Sequence, residues 1–200
     1  MSPEEKERLQ SIVPEPYRWL LDEPGPRMLT IGLSMYGTLE AKGDANNPVI
    51  LGWQRELQAA GFGRHYGRFY TKDSIPWCGL WMAVVAHRAN VERRPDRAPP
   101  RKYLSALEWR NFGRAVPIEQ AALGDICVLT RFGGHHVFQY VGEDDVAVHG
   151  LGANQSDAVN IRRFHKDRVI AVRAPFYRIQ PPNVRKVFLS QDGELSANEA

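Results

Sequence analysis

The sequence predicts an α+β fold, in which N-terminal helices pack on a C-terminal antiparallel sheet of about five strands. Apolar residues recur at helical spacing in the first half of the chain, and they alternate with a period of two after residue 123. Glycine and proline are frequent without any period, which is typical of many turns and short elements. The chain of 200 residues is long enough for one domain with a substantial core.

Four helices are predicted, over residues 2–13, 47–60, 76–89 and 103–109. The first opens on a capping box at Ser2 with Pro3 at the first helical position. Asn46 or Asn47 is a suitable cap for the second helix, and two glycines end it. For the third helix we expect Asp73 or Ser74 as the N-cap, with a proline in the first turn.

Five strands are predicted, over residues 126–131, 136–141, 146–149, 157–163 and 168–173. Glycine pairs and acidic turns separate the first three strands, as in successive hairpins. Repeated prolines in residues 1–26 predict a short helical extension followed by a linker. We therefore expect one compact domain over residues 27–178, and a polar, partly disordered tail over residues 179–200.

The composition argues against several classes of partner. The net charge is only +3, and the basic residues are scattered, which disfavours nucleic-acid binding but is compatible with weak attraction to an anionic cell wall. The longest apolar stretch, around residues 80–86, is too short to cross a membrane. The N-terminus has no apolar region typical of a Sec signal, so we expect synthesis in the cytoplasm. Two cysteines do not form a disulfide framework in a chain of this length.

One cysteine and one histidine are candidates for nucleophilic catalysis. Cys78 lies in the first turn of a predicted helix, where the helix dipole lowers a thiol pKa and backbone N–H groups could bind an oxyanion. His136 opens a strand after a glycine turn and is the candidate general base; His135 is equally close to the turn, and because adjacent strand residues face opposite sides, only one of the two can point at Cys78. Asn154 could orient the imidazole, with Gln155 as the close alternative. The competing interpretation of Cys78 is a buried, inert core cysteine.

Seven short segments follow one another in an informative order: Tyr36-Gly37-Thr38-Leu39-Glu40, Asn47-Pro48-Val49-Ile50-Leu51, Pro76-Trp77-Cys78-Gly79, Gly124-Asp125-Ile126-Cys127-Val128, His136-Val137, Tyr140-Val141-Gly142-Glu143-Asp144 and Gly152-Ala153-Asn154-Gln155-Ser156-Asp157-Ala158-Val159-Asn160-Ile161. This series resembles the NlpC/P60- and CHAP-like cysteine hydrolases of bacteria and phages, over roughly residues 28–175. The resemblance implies a papain-like core with Cys78, His136 and Asn154 as catalytic residues. It also implies cleavage of a peptidoglycan amide, in the stem peptide or between muramic acid and L-alanine, by a monomer without a cofactor.

The chain departs from the family pattern at two positions. Gly79 follows the cysteine where serine or alanine is usual, and Phe138 replaces a small residue two positions after the histidine. If Phe138 faces the cleft, it would restrict the width of the substrate. Beside the cleft, we expect Trp77, Asp73 and Gln155 as candidate substrate-binding residues.

Two other functions remain open from the sequence. A zinc hydrolase could use His136 and His149 across neighbouring strands, although none of the six histidines stands in a helical zinc motif. Alternatively, the chain could be an inactive wall-binding or virion structural module of the same fold. As an enzyme it would reach the cell wall through a holin, within a virion or by a secretion system.

Overall fold

The computed structural model describes residues 1–66, 68–191 and 195–196. Its α-helices are α1 (Pro3–Ile12), α2 (Arg27–Ser34), α3 (Pro48–Ala59) and α4 (Cys78–Ala89), with 3₁₀ turns between them, including Glu15–Asp22 and Ala106–Asn111. No helix in this described part of the chain is long and apolar enough to span a membrane. The disorder predicted for the tail concerns in part residues 192–194 and 197–200, which lie outside the described residues.

Six strands form one antiparallel sheet: β1 (Arg114–Val116), β2 (Ile126–Arg131), β3 (Gly134–Glu143), β4 (Ala147–Gly152), β5 (Asn160–His165) and β6 (Val169–Ala174). Their order across the sheet is β1-β6-β2-β3-β4-β5. Helices followed by an antiparallel sheet confirm the predicted α+β class. The prediction missed β1, which has only three residues and no buried side to reveal it.

Helix starts follow the predicted caps in two cases and differ in one. The side chains of Ser2 and Asn47 accept hydrogen bonds from backbone N–H groups in the first turns of α1 and α3, as expected. Helix α4 instead begins at Cys78, with Trp77 at the N-cap and no side-chain cap. The predicted cap at Asp73 was wrong, because its carboxylate is bonded elsewhere, as described below.

The sheet separates two apolar clusters. The larger one, on the helix side, includes Cys78, Trp81 of α4 and Val137 of β3. The smaller one, on the opposite side, includes Cys127, Phe138, Tyr140 and Phe164. Successive residues of β3 therefore face opposite clusters, as the pleat requires.

Both ends of the chain pack on this sheet. Leu9 and Leu20, in the segment expected to be an extension and linker, are fully buried in the larger cluster. Tyr17 is hydrogen bonded to Nδ1 of His149 on β4 at 2.7 Å. Near the C-terminus, Val187 accepts a backbone hydrogen bond from Glu143 at 2.9 Å. Residues 1–26 are thus part of the core rather than a separate extension.

Candidate active site

Cys78 is the first residue of α4, so its thiol lies at the helix N-terminus. The helix approaches residues 103–104 so closely that a Cβ at Gly79 would lie 2.3 Å from the carbonyl oxygen of Tyr103 and 2.8 Å from that of Leu104. Serine or alanine would therefore displace this backbone. Close packing against residues 103–104 therefore explains why glycine, rather than serine or alanine, follows Cys78.

The Cys78 thiol is buried, with only 4% of the residue exposed. Burial raises its pKa, while the nearby backbone N–H group of Val137, the charge of Arg131 and the N–H groups of Gly79 and Cys78 itself act to lower it. The net direction is upward, because loss of hydration penalises the thiolate more than these groups stabilise it. The sequence-based expectation of a lowered thiol pKa was wrong, and the resting group is a thiol that needs a base.

The contact with Val137 connects the helix to the sheet. Pairing between β3 and β4 ends at Phe138 and Gly152, so Val137 lies one residue beyond the ladder. Its N–H group is therefore available to the Cys78 sulfur. Val137 directly follows His136, which brings the thiol to the strand segment that carries the predicted base.

The imidazole of His136 is held by Gln155, with 3.0 Å between Nε2 and Oε1. The amide nitrogen of Gln155 donates to the carbonyl oxygen of Gly150 at 3.3 Å, and to the backbone and side-chain oxygens of Asn160, both at 2.9 Å. These three acceptors assign the amide nitrogen, so Oε1 faces the imidazole and accepts from it. His136 consequently carries its proton on Nε2, and the basic lone pair is on Nδ1.

The geometry favours Gln155 over Asn154 as the orienting residue. Asn154 has a φ of +59°, as do Ser156 and Asp157 at +53° and +58°. This left-handed turn directs Gln155 inward, where it is almost fully buried. The sequence showed both amides side by side, and only the turn distinguishes them.

Phe138 lies beneath the imidazole and does not line an open cleft. It is fully buried, and its ring stacks on His136 with centroids 6.0 Å apart and an angle of 22° between the planes. Phe164 packs on both rings, at 4.6 Å from Phe138 and 5.7 Å from His136. The Phe138 ring, which stands where the sequence comparison expected a small residue, therefore supports the imidazole on the side of the sheet that faces away from the helices.

His135 takes the other side of β3. Alternation places its half-buried side chain on the side of Val137 rather than with the aromatic rings. Its carbonyl oxygen accepts a hydrogen bond from Arg131 at 3.4 Å. His135 thus lies on the Cys78 side of β3, whereas His136 is the histidine that Gln155 orients, and this bond is the ground on which His136 is kept as the candidate base.

Two of the expected substrate-binding residues are buried. The indole N–H of Trp77 donates to Glu40 at 3.0 Å, and the ring packs on Trp53. The Asp73 carboxylate accepts from the backbone N–H groups of Ala41 and residue 47, at 2.8 and 2.7 Å. Both side chains thus organise the loop over residues 39–47 and are not open to a substrate. Sequence reasoning missed Glu40, which is half-buried beside Trp77.

His149 belongs to a different network from His136. Its Nε2 lies 2.8 Å from the Asp144 carboxylate, which also binds Arg163 at 2.8 Å. Although burial acts to raise the pKa of Asp144, these hydrogen bonds and those from two backbone N–H groups lower it to about 2. The zinc pair suggested by the sequence is therefore not formed by His136 and His149. Among the residues that the structure describes, no three His, Cys, Asp or Glu side chains are grouped to hold a metal ion.

The N-terminus of α4 thus places the Cys78 thiol beside the backbone of β3 at the residue after His136, and the carboxamide of Gln155 holds the His136 imidazole, which packs on Phe138 and Phe164. These are the groups needed for acyl transfer through a covalent thioester. Comparison of the chain with protein-family models, with curated proteins and with solved structures finds no match in any of the three.

Proposed function

We propose that this chain is a cysteine hydrolase with a papain-like fold of the NlpC/P60 and CHAP type, which cleaves an amide bond in peptidoglycan. The observation that carries the proposal is the position of Cys78 at the N-terminus of α4, close enough to the N–H group directly after His136 for that group to lower the thiol pKa, together with the Gln155 bond that orients the His136 imidazole. The ordered motifs of the sequence supply the substrate class. The bond lies in the stem peptide or at the muramoyl–L-alanine link.

The proposed mechanism begins with a neutral pair. Nδ1 of His136 takes the proton of the Cys78 thiol as the sulfur attacks the amide carbonyl carbon. A backbone N–H group at the N-terminus of α4 binds the developing oxyanion. The imidazolium then protonates the leaving amine, and water attacks the thioester to release the acyl product and the thiol. Gln155 holds the imidazole throughout and is a positioning residue.

A second candidate function is a wall-binding or virion structural module without catalysis. The burial of the Cys78 thiol and its raised pKa favour this alternative, because buried cysteines of this kind are ordinarily inert. For catalysis, the groups packed around the Cys78 sulfur must move on binding, so that both the substrate and the His136 imidazole can reach it. Both functions predict binding to the cell wall, but only the hydrolase predicts cleavage of peptidoglycan.

Digestion of purified sacculi separates these functions. We expect the wild-type protein to release soluble fragments, and Cys78→Ser and His136→Ala to release none while retaining their circular dichroism spectra. His135→Ala is the matched control on the same strand, and it should retain activity. Mass spectrometry of the fragments would identify the bond. If the wild-type protein pellets with sacculi but releases nothing, the binding module is the correct function.

The site of action follows from the proposed substrate. Peptidoglycan lies in the periplasm or outside the cell, so the protein would be delivered by a holin, by a virion or by a secretion system. Detection of the protein in purified virions, in the culture medium or only after lysis distinguishes these three routes.

A further inference from the structure

A cavity of about 320 Å³ lies next to Asp125, the residue that immediately precedes β2. Cys78 lies near Val137, which pairs with Val128 of β2, and three residues of extended chain separate Val128 from Asp125, which is about 10 Å at 3.3 Å per residue. The lining of the cavity includes none of Cys78, His136 and Gln155, so the cavity is separate from the proposed catalytic site. Its volume falls near the lower limit of small-molecule sites, roughly 300–1,000 Å³.

Two buried polar atoms at this cavity have no partner among the described residues. Asp125 is only 2% exposed, and one carboxylate oxygen accepts from the Ala122 N–H at 3.0 Å. Its other oxygen, Oδ1, makes no hydrogen bond, and neither does the hydroxyl of Tyr177. Both side chains line the cavity. Leaving such atoms unsatisfied costs about 1–3 kcal/mol each, so a ligand that bonds to both is favoured.

The two atoms influence each other electrostatically. Burial raises the pKa of Asp125 to about 6, although the Ala122 N–H and the charge of Arg114 act to lower it. Burial also raises the pKa of Tyr177, and the nearby charge of Asp125 raises it further. At pH 7 the cavity therefore offers an anionic acceptor and a neutral hydroxyl.

The chemistry of these atoms selects a class of ligand. A hydroxyl group donates to Asp125 Oδ1 and accepts from the Tyr177 hydroxyl, so it satisfies both. An ammonium ion can donate to both oxygens but has no lone pair for the proton of the Tyr177 hydroxyl, and a phosphate would meet the repulsion of the Asp125 carboxylate beside the attraction of Arg114. The guanidinium of Arg114, the amides of Gln120 and Gln180 and the half-exposed ring of Phe176 also line the cavity. We propose that this cavity binds a saccharide unit, with adjacent hydroxyls on Asp125 and Tyr177 and an apolar ring face on Phe176.

This inference does not depend on catalysis at Cys78. A saccharide site at this distance would hold a glycan strand while another part of the polymer reaches the thiol, but binding of a free monosaccharide requires neither event. Binding should therefore persist in Cys78→Ser. That variant distinguishes failure of the saccharide site from failure of the proposed hydrolase.

Titration of the full chain with N-acetylglucosamine, followed by NMR, tests the site. We expect chemical-shift changes at residues lining the cavity, and about tenfold weaker binding in Asp125→Asn and in Tyr177→Phe, each of which removes one hydrogen bond. Asp125→Asn keeps an oxygen for Ala122 and presents an amide donor in place of the free acceptor. The matched control is Asp167→Asn, at a side chain that is 88% exposed.

Butylammonium and inorganic phosphate serve as probes of the other two ligand classes. Shifts at the cavity with either ion and none with the saccharide would overturn the proposal. So would saccharide binding of equal strength in wild type and Tyr177→Phe, or shifts confined to residues near Cys78. Circular dichroism of each variant verifies that weaker binding does not reflect unfolding.

Discussion

The ring of Phe138 packs against Gly150 on the neighbouring strand, where a Cβ atom would lie 2.1 Å from Cδ2 of the phenylalanine. Gly152 is similarly close, since a Cβ there would lie 3.0 Å from that of Phe138. The bulky residue on β3 is thus matched by two small residues on β4. This matching lets Phe138 fill the space beneath the His136 imidazole without displacing it.

Gly150→Ala should destabilise the protein and impair the proposed hydrolysis. The added methyl group must displace the Phe138 ring and hence the imidazole stacked on it, at a cost of about 1–3 kcal/mol for overpacking. Urea denaturation and sacculus digestion measure the two effects. Gly134→Ala is the control on β3, because a Cβ at that position meets no atom within 4 Å.

The clash between these two residues predicts a coupling. In Phe138→Ala with Gly150→Ala, the second change should cost less than it costs alone, because the ring that it displaces is absent. A double-mutant cycle on the free energy of unfolding gives this coupling. Strictly additive effects would contradict the proposed packing.

Gln155→Ala should lower the rate of hydrolysis on the order of 10²-fold, because a mispositioned base loses the geometry of proton transfer. Asn154→Gly is the matched comparison, since glycine accepts the φ of +59° at that position and removes the amide. We expect it to retain most activity. The assignment of Gln155 would be reversed if Asn154→Gly lost the activity and Gln155→Ala kept it.

The two cysteines should differ in their reaction with iodoacetamide. Burial raises the pKa of Cys127 well above its ordinary value, whereas Cys78 has N–H donors and the charge of Arg131 to stabilise its thiolate. We expect Cys78 to react slowly at pH 7 and faster with rising pH, and Cys127 to react only after unfolding. Peptide mass spectrometry resolves the two sites.

Arg131→Gln should slow alkylation of Cys78 further, because the positive charge that lowers the thiol pKa is lost. The control is Arg101→Gln, at an exposed site in the loop before the Ala106–Asn111 turn. Equal rates in both variants would show that Arg131 does not act on the thiol.

Asp125→Asn should stabilise the protein at neutral pH. Burial raises the pKa of Asp125 from 3.8 to about 6, so the folded state retains a proton that the unfolded chain releases. This stabilising contribution is present below pH 3.8, falls as the pH rises through 6 and stays lost above it. The difference corresponds to at most about 3 kcal/mol. Denaturation at pH 7.5 and pH 3.5 should show the gain only at the higher pH; an equal gain at both would contradict it.

Leu9→Ala should lower the free energy of unfolding by about 2–5 kcal/mol, because it opens a cavity in the main core. Ile12→Ala lies on the same helix at a side chain that is 42% exposed, and it should cost much less. Chemical denaturation of both variants tests whether α1 belongs to the folding unit. Equal, small effects would restore the interpretation of residues 1–26 as an independent extension.

The sequence alone determined the elements whose signals are local. Helix α3 was predicted within one residue at each end, because Asn47 and the glycines after the helix mark its limits. The strands were predicted because apolar alternation needs no knowledge of distant contacts. The prolines before Met28 led to the wrong prediction of a linker. Prolines are equally compatible with the short, packed 3₁₀ helix Glu15–Asp22 that the structure has there. Whether such a segment packs depends on the apolar surface that meets it.

At the candidate site, the sequence identified Cys78 and His136 from their positions at a helix start and a strand start. Only the tertiary structure decided that Gln155 holds the imidazole, because a left-handed turn turns it inward. The same is true of Phe138, whose role depends on the glycine opposite it on β4. Whether the pKa of Cys78 shifts up or down also depends on the fold. The helix N-terminus, which lowers the pKa, is visible in the sequence, but the loss of hydration, which raises it, depends on everything packed around the sulfur.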